Sequence, residues 1–420
     1  MKIYTKTYSN GLRLILEKNS KNVIASNILF GVGSQDENKK EEGYSHFIEH
    51  LVFKSSENYK TEEIMDKLTM LGADFNAYTA KTTTRFIFKC LAENFEPCFE
   101  IYSDMLLRPK FLLEELDRER NVVIEEMKKY EDEPSEVMYQ AAVQNYFEGS
   151  SFAHDILGNE ENISNVTREE LLAYKNKYYK AENTIISICG NIDFDELDRI
   201  VTKYFVSNFN YEAEPIFSTK YDSKENINCK YQVIERDDAQ ANVCLHIKTV
   251  PYESNLKYVA SLYTSILGNS QNSRLYKKIR EELGLVYSIY AYNDIKKGHG
   301  EMFIIFGTRP KNVQKAIFEI KKIIGELAEN GATELELERA KNWKKSCMEF
   351  SSETNSDIAD MNATLIYSDN KHTSLKSRKS KYDKIKLEDI NKFAKKIAYE
   401  KVFNVVAVGK NINIEDLKQF

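Results

Sequence analysis

The chain has 420 residues, 42% of them apolar, 12% aromatic and 30% charged, which allows two or more domains with substantial cores. A net charge of -6 and a pI near 5.8 exclude a general nucleic-acid binder, which would carry a basic footprint. No run approaches the ~18 apolar residues of a membrane helix, and the start Met1-Lys2-Ile3-Tyr4-Thr5-Lys6 lacks the apolar stretch of a signal peptide, so a cytoplasmic protein is expected.

The first informative element is His46-Phe47-Ile48-Glu49-His50. On a helix, positions i and i+4 share a face, so both imidazoles can reach one metal ion, and Glu49 projects beside them. This is the H-x-x-E-H order of a zinc protease signature. Neutral imidazole suits Zn²⁺, a catalytic site needs three protein ligands and one open position, and a carboxylate must take a proton from the attacking water. The same five residues also fit a helix whose histidines have ordinary core or surface roles.

Downstream, Leu71-Gly72-Ala73 leads into Asp74-Phe75-Asn76-Ala77-Tyr78-Thr79, which alternates like a strand, and Arg85-Phe86-Ile87-Phe88-Lys89 reads as another. A third ligand can come from the acidic helix around residues 112–130. There Leu112, Leu116, Val123 and Met127 give a helical apolar rhythm, and Glu119 and Glu126, two turns apart, lie on one side. Carboxylates on a packing face are costly to bury unless paired or bound to metal. Glu125 points elsewhere and reads as solvated. An exposed stripe of all three glutamates is the alternative.

Gly43-Tyr44-Ser45-His46-Phe47-Ile48-Glu49-His50-Leu51-Val52-Phe53-Lys54, followed about 76 residues later by Val122-Val123-Ile124-Glu125-Glu126, resembles the pitrilysin/insulysin (M16) family of zinc peptidases. That family includes the mitochondrial processing peptidases and small bacterial homologues. The resemblance covers nearly the whole chain. It implies one Zn²⁺ per chain, held by His46, His50 and Glu126, with Glu49 as the general base. Glu119 matches an acid beside the metal that orients a ligand or tunes the site. It also makes residues 74–79 the sheet edge beside the zinc, where Asn76 and Ala77 would bind an extended peptide. An interior strand with a turn-prone Asn is the plain alternative.

The remaining elements repeat the first. Thr167-Arg168-Glu169-Glu170 is a capping box that opens a helix leading to the strand Thr184–Gly190. Near the end, Glu388-Asp389-Ile390-Asn391-Lys392-Phe393 leads to Asn404–Gly409, with Gly190 and Gly409 separated by 219 positions. Leu71-Gly72 and Leu283-Gly284 match at an offset of 212, and a strand followed by a long amphipathic helix comes after each. Two related domains of about 210 residues are therefore expected: 1–212, bearing the metal site, and 225–420, without it. The join is placed at 208–228, a polar stretch with Pro215. Each reads as α+β, a mostly antiparallel sheet with helices on one face. The resemblance implies the same fold class, two homologous α/β-sandwich domains facing each other across a cavity.

In the second half, Val259–Leu267 stands where the His46 helix stands in the first, and it contains no His or Glu, so one site per chain is expected. His154, His246, His299 and His372 lack metal-ligand spacing and read as surface or strand residues. Six cysteines without a C-x-x-C pair read as reduced core residues. The segment Ser273–Tyr287 resembles the family stretch with an Arg and a Tyr seven apart. It implies that Arg280 grips substrate and Tyr287 stabilises the oxyanion. Gly268-Asn269-Ser270-Gln271-Asn272 replaces the glycine run of many relatives.

The function expected is a cytoplasmic zinc-dependent endopeptidase acting on unfolded peptides or leader segments. Alternatives are a non-catalytic or heterodimer partner subunit of a processing protease, and a maturation protease dedicated to one modified peptide. The chain is half the length of family members that enclose a chamber with four domains. A homodimer is therefore expected, or else a heterodimer with a metal-free homologue.

Overall fold

A computed structural model of the chain describes residues 2–209, 230–399 and 403–418. In chain order the first half runs β1 (Lys2–Thr7), β2 (Arg13–Lys18), β3 (Val23–Phe30), α1 (Tyr44–Val52), α2 (Thr61–Met70), β4 (Asp74–Thr79), β5 (Thr84–Leu91), α3 (Phe95–Leu107), α4 (Leu113–Asp132), α5 (Pro134–Tyr146), α6 (Glu160–Asn165), α7 (Arg168–Tyr178), β6 (Thr184–Gly190) and α8 (Phe194–Tyr204). The second continues with β7 (Tyr231–Ile234), β8 (Ala241–Lys248), α9 (Lys257–Gly268), β9 (Val286–Lys296), β10 (His299–Thr308), α10 (Val313–Asn330), α11 (Glu334–Phe350), α12 (Asn355–Asp369), α13 (Leu375–Asp383), α14 (Leu387–Tyr399), β11 (Phe403–Val408) and α15 (Ile414–Leu417). Among the described residues no helix is long and apolar enough to cross a membrane.

Two sheets result, with strand orders β1-β2-β6-β3-β5-β4 and β7-β11-β8-β10-β9. Without β1, the two orders correspond strand for strand. Each has a single parallel pair (β2 with β6, β7 with β11) among antiparallel neighbours. The internal repeat is thus a repeat of topology. Gly190 and Gly409, at the ends of equivalent strands, share nearly the same backbone (φ +152° and +151°), and a Cβ on either would press on the neighbouring strand, at Ile24 or Ala241.

The compact units are not the two contiguous halves. One consists of the described parts of Met1–Lys128, His154–Lys220 and Phe350–Thr373, and the other of Lys129–Ala153, Tyr221–Glu349 and Ser374–Phe420. The join expected at 208–228 lies, apart from Asn208 and Phe209, outside the described residues.

This partition corrects the expectation of helices on one face only. In the first unit α12 covers the second face of the sheet, its Ala363 and Ile366 packing on Ile15, Leu29 and Ile185. In the second, α5 does the same, with Met138, Ala142 and Tyr146 against Cys244, Phe303, Val406 and Val408. The physical reason is that β6 and β11 are buried at every described position. A strand apolar on both sides needs cover on both sides.

His246 and His299 lie in strands, as one of the expected readings had it, but under α5 and out of solvent. They share the carboxylate of Glu301, at 2.5 Å from His246 Nε2 and 3.3 Å from His299 Nε2, and His246 Nδ1 sits 3.2 Å from the Ala142 carbonyl oxygen of α5. Cys90, Cys98, Cys189 and Cys244 are buried free thiols and Cys347 is half-buried. Cys229 lies outside the described residues.

Candidate functional site

The site lies in the first unit and is built from α1, α4 and the last strand of the sheet. α1 is preceded by Gly43, whose φ is +94° and where a Cβ would come within 2.6 Å of the Leu157 carbonyl oxygen. The buried Glu37 carboxylate accepts from the backbone N–H groups of Gly43 (2.8 Å) and Ser45 (2.7 Å). Its two oxygens thereby satisfy donors at the start of the helix, while burial pushes the Glu37 carboxyl up to about 8. Phe47, Ile48, Leu51 and Val52 are fully buried in the core, which anchors the helix and leaves His46, Glu49 and His50 on its other side.

α4 packs alongside through Leu116, Val123 and Met127. Leu112, expected in the same stripe, precedes the helix and is exposed. Arg120 helps hold α4 in place: its guanidinium lies over the Phe47 ring and donates to the carbonyl oxygens of Ile163 and Val166. Glu125 faces out and pairs with Lys128. Glu119 and Glu126 turn to α1.

There the side chains converge. His46, His50 and Glu126 bring ligand atoms within 4.8 Å of one another. Glu126 Oε2 is 3.7 Å from His46 Nε2 and 3.5 Å from His50 Nε2. Tetrahedral ligands at about 2.0–2.1 Å from one zinc would stand roughly 3.3–3.4 Å apart, so the spacing fits the ion closely. Burial, with the neighbouring His50 adding to it, pushes His46 down to about 3, so its ring stays neutral and keeps a lone pair. His50 also loses solvent, but the hydrogen bond to Glu119 and the charges of Glu49 and Glu126 outweigh that and raise it. Two imidazole nitrogens and a carboxylate face one another, the ligand types that zinc takes. The donor set therefore fits Zn²⁺.

Two further chains of contact orient this group. Glu119 Oε2 lies 3.2 Å from His50 Nδ1, and its other oxygen is 2.8 Å from Lys54 Nζ. With Nδ1 protonated toward Glu119, the Nε2 lone pair of His50 is aimed at Glu126 and the cluster. On the other side, Thr79 donates its hydroxyl to Glu49 Oε2 at 2.6 Å. Burial raises the Glu49 carboxyl, and Thr79 partly opposes the rise. Lys54 and Thr79 stood inside the segments quoted from the sequence, but nothing in residue type or spacing gave either a role.

Among the described residues β4 is an edge strand, hydrogen-bonded to β5 alone. On it Asn76 is exposed, its Oδ1 accepting from the Ala77 backbone N–H, while Ala77 is buried. In the second unit Arg280 sits in a short π-helical turn, Tyr276–Glu282, where its guanidinium stacks on Tyr276 at 4.7 Å and donates to that hydroxyl. Tyr287 is the second residue of β9, is 49% exposed, and its hydroxyl accepts from Arg309 Nε at 3.0 Å. α9, the counterpart of α1, carries no metal-ligating residue.

Comparison with known proteins agrees with this organisation. Residues 13–160 match the family model described as insulinase (peptidase family M16), and residues 165–343 match the one described as the peptidase M16 inactive domain. An "uncharacterized zinc protease" of Bacillus subtilis (strain 168) is 29% identical over 395 residues, 94% of this chain and 95% of that protein. A second protein so named, from Rickettsia bellii, is 30% identical over 334 residues, 79% of each chain. Among solved structures, a protease from Helicobacter pylori shares the fold at a TM-score of 0.89 and 22% identity, covering 97% of this chain and 99% of that one. A peptidase M16 inactive domain from Pseudomonas fluorescens does so at 0.86 and 18%, covering 98% of each. The chain therefore belongs to peptidase family M16, in the small bacterial subfamily whose relatives are named zinc proteases.

Proposed function

We propose that the chain is a zinc-dependent endopeptidase that hydrolyses unfolded peptides or leader segments, with one active site per chain. The observation that carries this reading is the convergence of His46, His50 and Glu126 beside the Glu49 carboxylate. His46, His50 and Glu126 would hold Zn²⁺, which when bound polarises the scissile carbonyl and lowers the pKa of water to about 7.

The rest of the chemistry belongs to the chain itself. Glu49 takes the proton of the attacking water and passes it to the leaving amine, so the carboxylate is regenerated within one turnover. Glu119 fixes the tautomer of His50 through Nδ1. The unpaired side of β4 offers backbone groups to an extended peptide, which would bind largely regardless of its sequence. Asn76 and Ala77 are the positions of that strand assigned to the peptide. For Arg280 and Tyr287, the support for substrate and oxyanion roles is the family resemblance of their segment.

The test is mass spectrometry of a mixed peptide library incubated with the wild type, with Glu49→Gln, and with a chelated sample. Cleavage by the untreated wild type alone is expected. Equal cleavage by Glu49→Gln removes the role given to Glu49, and equal cleavage after chelation removes the metal. No cleavage with zinc bound would favour a non-catalytic partner subunit or a single dedicated substrate.

A further inference from the structure

We infer that Thr79 is a positioning residue for the general base, fixing which oxygen of Glu49 is presented to the attacking water. This rests on the endopeptidase reading above. The geometry supplies the argument. Among the described residues, the Thr79 hydroxyl is the only side-chain donor to Glu49, at 2.6 Å from Oε2, and the Thr79 backbone N–H adds a weaker contact to the same carboxylate. With Oε2 engaged, the lone pairs of Oε1 remain for the proton. A glutamate left to itself samples many rotamers, so a fixed donor decides how often the base points the right way.

The donor itself is held firmly. Thr79 is β-branched, with a restricted χ1, and pairs with Thr84 across β4 and β5. Strand alternation puts it on the same face as Phe75 and Ala77. Ala77 is buried, and Phe75 stacks on Phe53 at 6.0 Å. Because Thr79 ends the edge strand, the strand that would receive the peptide also carries the hydroxyl that aligns the base. Anything that orders β4 therefore orders Glu49.

A purely structural role for Thr79 makes a different demand, and two substitutions separate the roles. Thr79→Val keeps the shape and loses the hydroxyl. Thr79→Ser keeps the hydroxyl and loses the methyl group. Positioning requires Val to be the damaging change, and packing requires Ser to be. The experiment measures kcat, KM and zinc content for both variants and the wild type on one peptide from the library, with crystal structures of wild type and Thr79→Val to read the Glu49 rotamer.

Thr79→Val should lower kcat by about 10- to 100-fold, with KM and zinc content unchanged, and Glu49 should leave its wild-type rotamer. Thr79→Ser should restore most of the rate. Wild-type kcat in Thr79→Val, or equal losses in both variants, overturns the inference. Should the wild type cleave nothing, the endopeptidase reading fails on its own, and the crystal structures still decide: an unmoved Glu49 in Thr79→Val refutes the positioning.

Discussion

Glu119 is the residue whose removal best separates a tuned metal site from a chance cluster. It touches the cluster at one point, His50 Nδ1, at 3.2 Å, and is tethered behind by Lys54 at 2.8 Å. Glu119→Gln keeps the shape and removes the charge. A hydrogen bond to a charged group contributes about 1.5–3 kcal/mol and a neutral one about 0.5–1.5, so the substitution should weaken the hold on His50 by about 1–1.5 kcal/mol. That corresponds to roughly tenfold in zinc affinity. Tenfold is a lower bound, because a glutamine can also turn its NH₂ toward Nδ1 and favour the tautomer that points a proton at the metal. Glu119→Ala, which removes the partner entirely, should lose about 100-fold. Competition against a chromogenic chelator of known affinity, at fixed pH and ionic strength, measures both. Thermal melts of the metal-free variants check that folding is intact. Wild-type affinity in both variants would refute the reasoning, since Glu119 would then be a bystander to His50.

Three other outcomes follow from the structure. His50→Ala should lose stoichiometric zinc by elemental analysis; equal zinc content would remove His50 from the ligand set. Lys175 is buried with the Leu107 carbonyl oxygen at 3.1 Å, and burial lowers it from 10.5 to about 8. A depressed lysine costs stability while it is charged. The fold should therefore gain about 3 kcal/mol as pH rises from 8 to 10.5, and Lys175→Met should be about 2 kcal/mol more stable at neutral pH in urea titration. No gain would mean that water or another partner reaches the amine. Glu301 carries the opposite sign. Burial opposes its charge, but His246 and His299 outweigh that and hold it at about 2 against an ordinary 4.5. Its stabilisation, about 3 kcal/mol, is complete above pH 4.5 and lost as pH falls toward 2, and Glu301→Gln should remove that acid limb and destabilise the second unit.

The duplicated topology was legible because its signals are local. The capping box at Thr167 and Glu170 opens α7 as read, with both reciprocal bonds present. The two glycine-terminated strands also proved equivalent. The exchange of α5 and α12 was not read, although part of the signal was in plain view. Ile185-Ile186-Ser187-Ile188, broken by one small hydroxyl, and Val405-Val406-Ala407-Val408 are uncharged, mostly apolar runs, the pattern of strands covered on both faces rather than one. What such runs cannot state is which helix supplies the cover. α5 and α12 have weak amphipathicity and are remote in sequence from the strands they cover, so only packing assigns them.

The candidate site divides along the same line. His46, Glu49 and His50 could be read because one helix turn fixes their geometry, and Glu119 and Glu126 because two turns of another do. Thr79 and Lys54 could not, since a hydroxyl on a strand end and an amine beyond a helix end acquire meaning only from what folds against them. Of the buried trio, His299 and Glu301 share one face of β10 by simple alternation, but His246 joins them only through the register of antiparallel β8 on β10, which is a property of the sheet. This sets the order in which such a centre must be disassembled. On the proposed function His46, His50 and Glu126 would hold the metal and Glu49 would act as base, and their removal should abolish function outright. Glu119, Thr79 and Lys54 would set orientation, and their removal should grade it. A chain that lost all activity on Thr79→Val or Glu119→Gln, while its metal stayed bound, would contradict that division.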